Sequence, residues 1–96
     1  MTTLTLVSAE QESIRPLVES ALAREAGLLD VAIRQTQARL RTFEAQYAMS
    51  TDEFLRRFAN DEIAETLDLD EWIGESRLLD RLLQKQSALK GIAIVG

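Results

Sequence analysis

The chain has 96 residues, 46% hydrophobic and 28% charged, with a formal charge of −5 and neither cysteine nor histidine. That length fits one small domain, burying somewhat over ~60% of the surface its unfolded chain exposes, and the composition is too apolar for intrinsic disorder and too interrupted for a membrane span. Without thiol or imidazole there is no disulfide, zinc-thiolate site, iron-sulfur cluster or usual general base, so neither an enzyme nor a cofactor or metal centre is expected.

The charge is unevenly placed. Residues 1–48 carry six acids and five arginines, whereas residues 49–96 carry ten acids against six bases. The C-terminal half would repel phosphate backbones, so unaided nucleic-acid binding is disfavoured. No stretch has the basic start, apolar middle and small-residue cleavage site of a signal peptide, which makes a cytoplasmic location the expectation.

In chain order, Thr2 to Val7 (TTLTLV) alternates hydroxyl and apolar side chains and reads as a short strand. Ser8 could cap a helix, but Pro16 would then fall in its interior, without a donor and clashing with the preceding turn. A start near Ser13 puts Pro16 in the first turn, so the long helix is expected over 14–48, with 8–13 as a turn or frayed start. Val18, Leu22, Ala26, Leu29, Ile33, Thr36, Leu40, Phe43 and Tyr47 recur at steps of mostly three and four, a heptad-like seam. Gly27 keeps the phase at a cost of roughly 1 kcal/mol relative to Ala, which favours one helix over two. Such a helix would run roughly 50 Å, against a diameter of about 32 Å for a compact chain of this size. It either bends at Gly27 or finds a second chain.

Ser50 and Glu53 form a capping-box pattern, with the hydroxyl accepting from a helix-start N–H and the carboxylate reaching back. A short helix is expected over 51–60, with Asn60 in the left-handed position that ends it. A third is expected over 68–90, with Asp68, Asp70 and Glu71 at its positive end and Gly91 as its stop. Its apolar face comprises Leu69, Trp72, Ile73, Leu79, Leu82, Leu83 and Leu89. Ile92 to Val95 is again strand-like. With antiparallel long helices, the two terminal strands would meet as an antiparallel ribbon, within one chain or across a dimer. The fold class is thus all-α: a long helix, a short capped helix and a third folding back as a hairpin in one domain, with short β-like termini.

Two constellations stand out. Asp61, Glu62, Glu65, Asp68, Asp70, Glu71 and Glu75 form a run uninterrupted by any base. An EF-hand starting at Asp68 fails, because Trp72 and Ile73 occupy its fifth and sixth positions. No apolar pocket is visible that would separate two carboxylate pKa values for acid-base work. What remains is a helix-start role or a surface for a basic protein partner. The arginines at 34, 39, 41, 56 and 57 lack interleaved aromatics and read as partners for these acids. The second constellation is aromatic: Phe43, Tyr47, Phe54, Phe58 and Trp72 should cluster at the bend and fix how the helices fold back.

The run from Leu40 through Glu75, a little over a third of the chain, carries Tyr47, Met49-Ser50, Glu53-Phe54, Arg57-Phe58 and Asp70-Glu71-Trp72. It resembles a family of small prokaryotic helical proteins encoded beside toxin-like partners and regarded as antitoxins. The family pattern is approximately L-E-x-K-Y-G-M-S-x-E-E-F, a further Phe or Trp, G-E-L-G-D-D and an aromatic-rich segment ending in E-W. Here Ala48 replaces the Gly, residues 59–63 stand where the Gly-rich turn would be, and Leu69 replaces an aromatic. The resemblance implies a non-enzymatic module that holds a basic toxin through its acidic helical surface. Three apolar-striped helices can leave a stripe uncovered, so a homodimer is also expected. Two other classes stand beside this one: a structural, self-associating coiled-coil module, and a DNA-binding regulator working through the N-terminal strand.

Overall fold

Residues 2–5 and 11–95 are described in the computed structural model. They form β1 (Thr2–Thr5), α1 (Gln11–Tyr47), α2 (Thr51–Ala59), α3 (Leu67–Lys90) and β2 (Ile92–Val95). The fold is all-α, with α1 and α3 packed as a hairpin and α2 laid across the bend. Leu6, Val7 and Ser8 of the expected strand and turn lie outside the described residues. The long helix starts at Gln11 rather than residue 14, which puts Pro16 inside it. Proline there leaves the Glu12 carbonyl without its intrahelical donor, a local loss near one end that the rest of the helix outweighs.

The seam on α1 is the packed edge. Leu29, Ile33, Thr36 and Leu40 are buried along it, and Val18, Leu22, Ala26, Phe43 and Tyr47 are half-buried. Gln86 Nε2 donates to Asp30 Oδ1 at 2.8 Å, Arg39 Nε meets Glu75 Oε2 at 2.9 Å, and Tyr47 Oη donates to Asp68 Oδ2 at 3.1 Å. As numbers rise along α1 they fall along α3, so the two helices are antiparallel and each tied pair sums to about 115. Lys90 therefore falls opposite about residue 25, and α1 runs on for roughly fourteen residues, about 21 Å, past the end of α3.

Of the two alternatives for the long helix, the bend at Gly27 does not occur. The chain measures 60 × 22 × 18 Å with a radius of gyration of 19.0 Å, and α1 is one helix through that residue. A compact chain of this length would have a radius near ~12 to 13 Å. The central core is accordingly small and set near the bend: Leu40, Phe54, Leu69 and Trp72, ringed by Phe43, Tyr47, Met49, Leu55, Phe58, Ile63, Ile73 and Leu79. Toward the open end, α3 has one helix for a neighbour and cannot cover its whole apolar face. Leu83, expected on that face, is 41% exposed.

The terminal strands pair, but in parallel, with Thr2 opposite Ile92 and Thr5 opposite Val95. The expected antiparallel ribbon required each strand to continue the line of its own helix. A parallel register means that at least one strand does not.

Both helix ends at the bend use the left-handed conformation. Met49 N–H donates to Glu44 O at 3.2 Å across Ala48, whose φ is 52°. At the end of α2, Glu62 N–H reaches Arg57 O at 2.9 Å and Asp61 N–H reaches Phe58 O at 3.2 Å, the two bonds of a Schellman cap. The left-handed residue there is Asp61, at φ 56°, and not Asn60, which sits at φ −95°. The Ala48 Cβ strains a backbone conformation that Gly adopts freely. Ala48→Gly is therefore expected to stabilise the fold by about 1 kcal/mol in urea or thermal unfolding, and Ala48→Val to destabilise it.

Candidate functional site

The bend joins three helices through stacked rings. Trp72 lies parallel to Phe54 at a centroid distance of 4.0 Å, and stacks on Phe43 and Tyr47 at 5.6 Å each. Phe58 tilts against Phe54 at 5.8 Å. Trp72 and Phe54 are fully buried, so helix spacing brings all five aromatics into one cluster, with Trp72 at its centre.

Beneath the rings runs a polar relay that sequence pattern does not reveal. Trp72 Nε1 donates to Thr51 Oγ1 at 3.0 Å, and that hydroxyl donates to Glu44 Oε2 at 2.9 Å. The same carboxylate oxygen accepts Thr51 N–H at 2.8 Å. One residue from each helix thus shares the relay, and Glu44 supplies negative charge to the start of α2. Ser50 caps α2 by accepting from Glu53 N–H at 3.1 Å. The Glu53 side chain does not complete the capping box; its Oε1 turns to Arg57 Nε at 2.8 Å and Arg56 Nη2 at 2.9 Å. Those two guanidinium bonds, Arg57 first, lower the Glu53 pKa from 4.5. A lowered carboxylate pKa stabilises the fold above the unfolded value, a contribution lost as pH falls through the folded one. Thr51→Val removes the hydroxyl, leaving Trp72 Nε1 without its acceptor and Glu44 with one donor fewer. It should cost about 1 to 3 kcal/mol in urea unfolding.

The seven acids do not act alike. Glu75 is held against Arg39, whose Nη2 also donates to the buried Thr36 Oγ1 at 3.2 Å. The Arg39 approach to the buried Glu75 Oε2 lacks hydrogen-bond geometry, so charge alone pairs them. Asp68 accepts from Tyr47 and, at 3.5 Å, from Gln46. Glu62 lies 3.9 Å from Arg56. Asp61, Glu65, Asp70 and Glu71 are exposed and, among the described residues, paired with no base. Between them in the chain stands Leu67, the first residue of α3, which is 83% exposed beside the Thr66 cap and one turn before Asp70 and Glu71 on the same helix face. A groove of about 490 Å³, lined by Arg39, Thr42, Phe43, Glu71, Gly74 and Glu75, opens beside the acids. Among the described residues no group of three acids is placed to hold a metal ion, and no helix is long and apolar enough to cross a membrane.

Partial burial raises the Tyr47 phenol pKa from 10.0, followed by the bond it donates to Asp68 and by that carboxylate's charge. The sign is that of a group kept neutral. Its stabilising effect is full below the unfolded pKa and is lost as pH rises through the folded one. Tyr47 is the only tyrosine in the chain. Ultraviolet titration of phenolate therefore reads it alone: the midpoint should lie above that of free tyrosine and move back toward it in Asp68→Asn.

Sequence reasoning missed Glu44, Thr51 and Leu67. Glu44 and Thr51 lie seven apart across the bend, and only the angle between α1 and α2 brings them together. Leu67 belongs to the apolar class that pattern reading sends inward. In comparison with known proteins, the chain matches no family model, no curated protein and no solved structure.

Proposed function

We propose that the protein is a non-enzymatic, antitoxin-like binding module that takes a basic protein partner on the acidic end of its hairpin. The observation that carries this reading is the exposed stretch of Asp61, Glu65, Asp70 and Glu71, paired with no base among the described residues, with the protruding Leu67 between them in the chain. Unpaired carboxylates steer and orient a cationic surface, and a projecting Leu offers an apolar anchor at the centre of the contact. Glu62, Asp68 and Glu75 face partners within the fold: Arg56, Tyr47 and Arg39. The resemblance of Leu40 through Glu75 to antitoxins supports the same class of partner: a basic, toxin-like protein encoded alongside.

The test is calorimetric titration of the chain with the product of a neighbouring basic reading frame, together with rescue of growth on co-expression. Saturable binding is expected, weakening as salt rises and lost in a triple Asp61→Lys, Glu65→Lys, Glu71→Lys variant of unchanged helicity. Failure of the two proteins to co-purify, or full binding by the variant, rejects the reading. Leu67→Ala should weaken binding without altering thermal stability, because an 83% exposed side chain contributes little to the fold.

A further inference from the structure

The open half of the hairpin bears a second apolar stripe that the described residues leave uncovered. On α1, Leu17, Ala21, Arg24, Leu28, Val31 and Gln35 recur at alternating steps of four and three, roughly a third of a turn from the seam that faces α3. Leu17 is 68% exposed, Leu28 60% and Val31 49%. Gly27 lies beside Leu28 with open space where a Cβ would be. Among the described residues nothing crowds a Cβ there, although glycine costs the helix about 1 kcal/mol relative to alanine.

The surface area fits a missing partner. A compact chain of 10.8 kDa would expose about 5,500 Å², whereas this one exposes 6893 Å². The excess, roughly 1,400 Å², exceeds the ~800 Å² that each partner contributes to an interface of standard size.

We infer that α1 of a second copy, running antiparallel, covers this stripe in an isologous dimer. The charges favour a copy of this same chain: α1 carries as many acids as arginines and does not repel its like. Antiparallel packing sends the two acidic bends to opposite poles, where a parallel pair would set them side by side. The stripe from Leu17 to Val31 has its midpoint at Arg24, so across the two-fold axis Leu17 meets Val31 and the two Arg24 lie side by side, each within a side chain's reach of the other copy's Glu25. Leu28 then falls over Ser20 and Ala21, large side chain against small. This surface is distinct from the acidic patch, and the dimer holds or fails independently of the proposed partner.

Sedimentation equilibrium of the full chain is the test. The expected result is twice the monomer mass of 10.8 kDa. Leu28→Glu should raise the dissociation constant by about a hundredfold or more with unchanged helicity, since it buries an unpaired charge in the contact. Leu17→Glu, at an even more exposed position, should do the same and stands in if the first variant unfolds. The chain has no cysteine, so Arg24→Cys introduces a single thiol, which should form a disulfide-linked pair on mild oxidation. A wild-type chain that remains monomeric at about 100 µM overturns the inference and assigns the stripe to a different occupant. So does a dimer that both glutamate variants leave at full strength.

Discussion

Trp72→Ala is expected to remove about 3 to 5 kcal/mol of stability, read as a lowered urea midpoint and melting temperature. Domains of this size hold about 5 to 15 kcal/mol in total, and a hairpin with so small a core belongs at the lower end, so the variant should be largely unfolded at 37 °C. The magnitude follows from position. Trp72 is fully buried and stacks on one ring of α2 and two of α1, and its indole N–H ends on the Thr51 hydroxyl. Trp72→Phe separates the terms, because it keeps an apolar ring and leaves Thr51 without its donor. It should cost clearly less than the alanine variant. A Trp72→Ala protein melting with the wild type would refute its central place in the core.

Phe54→Ala should act differently, freeing α2 while the hairpin persists. Phe54 is the one residue of α2 that is fully buried, and at nine residues the helix is far too short to hold itself together in water. The same truncation cost of about 3 to 5 kcal/mol therefore falls on local opening, lowering amide-exchange protection over residues 51–59 by roughly a hundredfold or more. Protection over residues 76–86 of α3 should barely change. If protection instead falls equally along the whole chain, α2 is integral to the cooperative unit.

Much of the fold is legible in the sequence because helix periodicity is a local property. The seam from Val18 to Tyr47 is buried or half-buried at every position, and the five bend aromatics follow from the same spacing. Features that depend on how elements meet were not legible. The parallel register of the terminal strands depends on chain direction outside the helices. Glu44 bonds to Thr51 because of an interhelix angle that no residue pattern encodes. Asn60 and Asp61 are both tolerated in left-handed backbone, so pattern placed the cap one residue early. In the acidic run, composition marks seven carboxylates; only geometry separates those held by Arg39, Tyr47 and Arg56 from the four with no such partner among the described residues.

The confinement of the core to one end also gives the hairpin an order of assembly. Thr51 and Trp72 are 21 residues apart, whereas Asp30 and Gln86, toward the open end, are 56 apart. Closing the shorter loop costs less chain entropy and at once gains the stacked rings, so folding should nucleate at the bend and zip toward the termini. In kinetic terms, truncations at Trp72 should slow refolding, while loss of the Asp30 to Gln86 tie should chiefly speed unfolding.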